Sequence, residues 1–267
     1  MTDIAKPRTA TQNGRLWGAR AEDWANIQEG QFSSAYDAVF DACCVGAGTR
    51  YCDLGCGAGM AVLAAFQRGA EVSGLDAADG LLAIARTRVP QADLRSGDLE
   101  ELPFADGRFD LVTGFNSFQY AANPVVALAE ARRITRPASG RVVIMTWGAP
   151  DGMEAAALVA ALKPLLPPPP PGAPGPFALS DDVALRSFAE SAGLRPLQIT
   201  DVSCHWRYPN LETALRGLGS SGVAVRAAEN SSEEALNDAH RAALAPFQAS
   251  DGSFRISASF KWLLASV

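Results

Sequence analysis

Apolar positions along this chain change their period near Arg50. Before that point they recur at helical spacing. Trp17, Ala21, Trp24 and Ile27 or Gln28 fall on one face, which sets both tryptophans together. Residues 1–14 are polar and read as frayed, and a second helix is expected over 33–44 with Ser33 as its N-cap. From Arg50 onward, short apolar runs alternate with helical stretches. Strands are expected over 51–54, 71–75, 93–96, 109–115 and 141–146, with helices over 60–68, 79–87 and 124–134. Gly69 stands where a C-terminal glycine belongs, and Pro90 stops the next helix. Such alternation implies a parallel sheet covered on both faces.

The pattern continues in weaker form. Helices are expected over 153–163, from a cap at Ser180 to Gly193, over 211–217 and over 233–244, the last with Ser231 as the N-cap of a capping box. Strands over 197–206 and 254–263 bring the total to seven. Residues 164–176 are proline-rich and read as an extended strap. No internal repeat interrupts the series, so residues 1–267 read as one domain. The segments 1–45, 151–179 and 210–248 are its expected lid elements.

Composition narrows the classes. At 48% apolar and 19% charged, 267 residues bury a large core without disulfides. A net charge of −6 argues against a nucleic-acid partner, and Arg132, Arg133 and Arg136, the nearest thing to a basic cluster, read as an outer helix face. No apolar run approaches the roughly 20 residues of a membrane helix, and no leader pattern is present, so no membrane role is expected. The five cysteines form no CxxC pair, and the histidines, His205 and His240, are distant from them. No metal site is expected, and reduced packing cysteines suit a cytoplasmic protein.

The informative stretch is Asp53-Leu-Gly-Cys-Gly-Ala-Gly59, where the first strand turns into a helix. Glycines there permit unusual backbone angles and expose the backbone to a ligand. The helix amino end is expected to offer free N–H groups to a carboxylate or phosphate. A dinucleotide site wants G-x-G-x-x-G, yet position 60 is Met, and the spacing is G-x-G-x-G behind Asp53. An acid at that place repels a pyrophosphate and suits an amino acid's ammonium. Asp76, ending the second strand, is placed to accept ribose hydroxyls, and Asp98, in Ser96-Gly97-Asp98-Leu99, to take the exocyclic amine of an adenine.

These residues, with Gly74-Leu-Asp76, Gly97-Asp98-Leu-Glu100, Leu102-Pro-Phe104, Phe109-Asp110 and Arg136-Pro137 ahead of Gly140, resemble the class I S-adenosylmethionine (SAM)-dependent methyltransferases. The ubiquinone/menaquinone-methyltransferase-like type 11 branch is the most similar, over residues 50–147. The resemblance implies a Rossmann-like α/β fold: a seven-stranded, mostly parallel sheet with helices on both faces, an antiparallel last strand and a helical lid. It implies SAM contacts at Asp53, Gly55, Gly57 and Gly59 for the methionine end, Asp76 with Ala77 for the ribose, Gly97, Asp98 and Leu99 for the adenine, and Asn116. The family's Pro-Gly-Gly is here Pro137-Ala-Ser-Gly140, which alters a turn.

Methyl transfer from a sulfonium needs alignment and exclusion of water, and needs a base only if the nucleophile must lose a proton, so no catalytic residue is assigned. Asn116, Ser117, Gln119 and Tyr120 after strand four, and Trp147 after strand five, are candidates on the substrate side. Tyr120 and Trp147 alternatively pack beneath a lid. His205 is a candidate base or a surface or core histidine; His240 is weaker. Trp17 and Trp24 either close over the cofactor or staple the helix to the body. The expected activity is methylation at O, N or C of a small, largely apolar acceptor, by a monomer or homodimer. A SAM- or SAH-binding protein with a regulatory or assembly role is the alternative. A dehydrogenase is disfavoured by Met60 and Asp53. A nucleic-acid methyltransferase is disfavoured by charge and by Asn116 continuing as Ser-Phe-Gln.

Overall fold

In the computed structural model, which describes residues 8–169 and 175–267, seven strands hydrogen-bond into one sheet. They are β1 (Arg50–Leu54), β2 (Glu71–Asp76), β3 (Asp93–Ser96), β4 (Leu111–Phe115), β5 (Arg141–Trp147), β6 (Arg195–Tyr208) and β7 (Phe254–Ser266), in the order β3-β2-β1-β4-β5-β7-β6. The first five pair in parallel, and β7 runs antiparallel to both β5 and β6. The chain winds outward from β1 to β3 on one side and from β4 to β5 on the other. This reversal opens a crevice at the carboxyl ends of β1 and β4.

The helices are α1 (Ala10–Gly18), α2 (Ala21–Asp23), α3 (Ser33–Ala42), α4 (Met60–Gln67), α5 (Asp79–Arg88), α6 (Pro124–Ile134), α7 (Ala155–Ala161), α8 (Asp182–Ser191), α9 (Leu211–Gly219), α10 (Gly222–Asn230) and α11 (Glu233–Leu244). Strand side chains alternate between two cores, as a two-residue period requires. Tyr51, Val143 and Met145 pack with α3 and α4 on one face; Cys52, Leu54, Val112, Val142 and Ile144 pack with α6 and α8 on the other.

Several local expectations are corrected. Residues 10–14 are helical, because tertiary bonds hold them: Thr9 Oγ1 and Asn13 Nδ2 donate to the Tyr120 carbonyl at 2.7 and 2.8 Å. Residues 1–7 lie outside the described part. The single helical face over 17–28 is broken into α1, α2, a π-turn at Trp24–Gln28 and a 3-10 turn at Glu29–Phe32. Ser33 begins α3 without capping it, and its hydroxyl instead donates to Gly30 O at 2.6 Å. Two caps shift by one residue. Asp181, rather than Ser180, accepts from Val183 N and Ala184 N; Ser232, rather than Ser231, accepts from Ala235 N. Helix α10, capped by Ser221, was not expected. Pro164 sits in a 3-10 turn, and residues 170–174 of the expected strap fall outside the described residues.

The C-terminal helices brace the N-terminal segment. Trp17 packs on Gly222, where an added methyl would lie 2.6 Å from the indole, and Arg15 and Arg20 pair with Glu229 and Glu233. On the sheet, Gly114 leaves room for the fully buried Phe118 ring, which a Cβ there would overlap. Gly114→Ala is therefore expected to cost about 1–3 kcal/mol through overpacking, read as a lower urea midpoint at unchanged slope.

Candidate active site

Gly55, Gly57 and Gly59 have φ of +78°, +55° and +84°, the left-handed backbone that glycine adopts without penalty. Gly59 also lets α4 meet α5, since a Cβ there would lie 2.9 Å from Ala85 Cβ. The loop's amides have internal partners: Gly55 N and Cys56 N donate to Leu75 O at 2.7 and 3.0 Å, Gly57 N to Asp76 Oδ2 at 2.8 Å, and Gly59 N to Cys56 O at 2.9 Å.

The expected open amino end of α4 is not open. Glu29, 3% exposed, stands there, with the amides of Met60 and Ala58 favouring its charged form. Arg88 pairs with Glu29 and donates to Ala58 O at 2.8 Å and to Ala25 O at 2.6 Å, binding the N-terminal segment to the glycine loop. Burial nevertheless outweighs these partners and lifts the Glu29 carboxyl to about 7. Sequence reading missed both residues. A pyrophosphate meets engaged amides and a carboxylate here, whereas a cation meets favourable charge.

Asp53 lies under the loop and not on the cleft wall. It is 2% exposed and accepts from Thr113 Oγ1 at 2.7 Å. With that proton committed, Thr113 receives the Tyr51 hydroxyl at 2.7 Å, giving a buried relay of three groups. Burial pushes Asp53 up to about 7, with Glu29 and Asp76 adding repulsion and Thr113 opposing it.

The wall itself holds most of the expected residues: Gly55, Gly57, Asp76, Ala77, Gly97, Asp98, Leu99, Asn116 and Tyr120. Asp76 accepts from Gly57 N and Ala78 N, both at 2.8 Å. A carboxylate has roughly four acceptor positions, so lone pairs remain for a ligand diol. Burial raises its pKa. Asp98 accepts from Glu100 N at 2.9 Å and has the Arg8 guanidinium 3.9 Å away. Asn116 takes φ +56°, uncommon outside glycine, and its Oδ1 accepts from Gln119 Nε2 at 2.6 Å. Ser117 donates to Leu54 O at 2.6 Å, tying the β4 loop to the glycine loop.

Gly59 and the candidates Gln119, Trp147 and His205 are not among the described lining residues. Trp147 stacks on Phe260 at 4.8 Å and meets Trp206 and Phe177 at about 6 Å, in an aromatic layer behind the cleft. His205 faces solvent from the edge strand β6, because Cys204, Trp206 and Tyr208 take the inward positions of the two-residue period. His240 is buried in α11 and, among the described residues, has no partner for Nδ1. The rest of the wall comes from Thr9, Asn13, Trp17, Trp24, Phe32, Tyr36, Phe115 and Met145, among others; among the described residues, none of 151–169, 175–179 or 210–248 lines it. Trp17 and Trp24 meet edge to face at 4.9 Å, and Trp17 meets Tyr120 at 5.5 Å.

Residues 52–144 match the model of a methyltransferase domain family. A demethylmenaquinone methyltransferase from Renibacterium salmoninarum is 35% identical over 150 residues, 56% of this chain and 58% of that protein. The biotin biosynthesis bifunctional protein BioHC of Cellvibrio japonicus is 40% identical over 101 residues, 38% of this chain and 20% of that protein. Residues 52–144 thus carry a methyltransferase domain. The chain spans between 20% and 58% of the length of these curated relatives. The solved SAM-dependent methyltransferase of Aquifex aeolicus shares the fold, with a TM-score of 0.53 at 15% identity, over 69% of this chain and 92% of that one. The methyltransferase domain fits SAM on its own geometry, since two cleft carboxylates keep free acceptor positions and the glycine loop presents no free amide to a phosphate.

Two outcomes follow for the methyltransferase domain. Asp76→Asn keeps one oxygen but loses the charge, and SAH affinity is expected to fall about tenfold or more by calorimetry. Asp53 and Glu29 hold protons in the fold up to about 7, against ordinary values of 3.8 and 4.5. The folded chain thus binds more protons between those limits, so apo stability is expected to fall as pH rises from about 4 through 7. A ligand ammonium favours the ionised carboxylates, so SAH should bind more tightly at pH 8 than at pH 6; a flat profile would show that these acids do not feel the ligand.

Proposed function

We propose that this chain transfers a methyl group from SAM to a small, largely apolar metabolite. One observation carries the reading: the acidic wall of Asp76 and Asp98 and the aromatic wall of Trp17, Trp24 and Phe32 belong to the same cleft. That cleft holds about 900 Å³ when the open solvent at its mouth is counted.

Bound SAM supplies the electrophilic methyl group. The chain's residues supply position. Asp76 and Ala77 would hold the ribose, Asp98 and Leu99 the adenine, and the backbone of Gly55 and Gly57 the amino-acid end. Asp53 and Glu29 place negative charge behind that loop. Asn116 and Ser117 fix the β4 loop beside the reacting end, and the N-terminal segment, acting as the lid, excludes water with its indoles. The free cysteines among the described residues support a reducing, cytoplasmic location.

The test uses SAM labelled in its methyl group against a panel of polyketides, terpenoids, quinones and modified amino acids. Label is expected on a small molecule. Label confined to protein or tRNA would refute the acceptor class. SAH binding without transfer to any class would make the chain a SAM-fold binding protein instead.

A further inference from the structure

Six side chains lining the cleft are aromatic: Trp17, Trp24, Phe32, Tyr36, Phe115 and Tyr120. Among the described residues that line it, none is Lys, Arg or His, while Asp76 and Asp98 both stand on the wall. More negative charge lies close behind. A methyl group added at Gly57 would come 3.0 Å from Glu29 Oε1, and Asp53 is buried under the same loop. The nearby arginines are engaged, Arg88 by Glu29 and Arg8 by Glu101 and Asp98. Five carboxyl groups (Asp76, Asp98, Asp53, Glu29 and Glu101) thus stand around the cleft against two guanidinium groups, Arg8 and Arg88. Aromatic faces and carboxylates are the two features by which proteins recognise alkylammonium ions.

Tyr36 adds a second observation. It is 7% exposed, its ring packs on Phe115 at 4.7 Å, and among the described residues its hydroxyl has no hydrogen-bond partner while it lines the cleft. Burial, with Glu29 and Asp53 close by, holds this phenol neutral. It can donate a hydrogen bond but cannot take a proton from an acceptor. Asp76 and Asp98 are assigned to the cofactor, and His205 faces solvent.

We propose that the methyl acceptor is an amine attacking as its free base, selected by the aromatic faces of this cleft. The inference rests on the transferase reading above. In the step, the nitrogen lone pair forms the N–C bond as the S–C bond breaks, the electron pair of that bond staying on sulfur. The positive charge moves from sulfur to nitrogen and never leaves the cleft. An amine that arrives protonated first gives its proton to solvent; after transfer a tertiary amine keeps the positive charge as a quaternary ammonium, and a primary or secondary amine releases a further proton to solvent. An oxyanion acceptor, by contrast, would have to enter the negative field.

The test is a binding measurement. With SAH saturating, indole fluorescence is titrated with three ligands of matched shape: trimethyl(2-phenylethyl)ammonium, the uncharged (3,3-dimethylbutyl)benzene and 3-phenylpropanoate. The cation is expected to bind at least about tenfold more tightly than either of the others. A cation that binds no better than the uncharged isostere, or does not bind, overturns the amine assignment, as does preference for the carboxylate. Failure of SAH itself to bind overturns the cofactor reading instead, so the two failures are separable.

Discussion

A carboxylate placed at the amino end of a helix is a favourable arrangement in any fold, and here it organises the cofactor side of the molecule. Glu29 reaches the start of α4 from the N-terminal segment, and Arg88 reaches the same point from the end of α5. One ion pair therefore joins three pieces of chain: the π-turn, the glycine loop and the second helix of the sheet. Taking both charges out of water is costly, and the extra bonds from Arg88 to two carbonyls offset part of that cost. The arrangement fixes the loop, while Asp76 and Asp98 stand on the cleft wall beside it.

Much of this architecture was legible in the sequence. The strands β1, β2, β4 and β5 lie in the interior of the sheet, so they read as short, mainly apolar runs ended by glycine, acid or asparagine. The acids at the ends of β2 and β3 followed from the rule that ligands gather at the carboxyl edge of an open sheet. Caps were misplaced by one residue where two competent side chains adjoin, Ser180 beside Asp181 and Ser231 beside Ser232. Helix α10 escaped notice because its start, Ser220-Ser221-Gly222, has turn composition, and its buried face is mainly small residues.

The site was less fully legible, for physical reasons that differ by residue. Glu29 is a single acid in a polar stretch, and only the break of the helical face at Trp24–Gln28 turns it inward. Trp147 follows the strand-end rule in sequence, but β7 continues alongside β5 to its last residue, pairing Phe260 with Trp147 and giving the indole a partner away from the cleft. His205 was decidable from its neighbours: three apolar or aromatic residues at 204, 206 and 208 leave the odd position outside. Asp53 carries the motif yet lies beneath the loop, bonded to Thr113 and off the cleft wall.

Gly14 has the widest reach of the small features. A side chain there would collide with the Ala77 carbonyl, so α1 rests directly on the turn that presents Asp76. The far side of α1 is held by α10, some two hundred residues later, through Trp17 on Gly222 and Arg15 with Glu229. The two halves of the chain therefore clasp one another across the ribose turn. The last third of the sequence contributes none of the described lining of the cleft, yet it braces the helix that rests on the turn presenting Asp76.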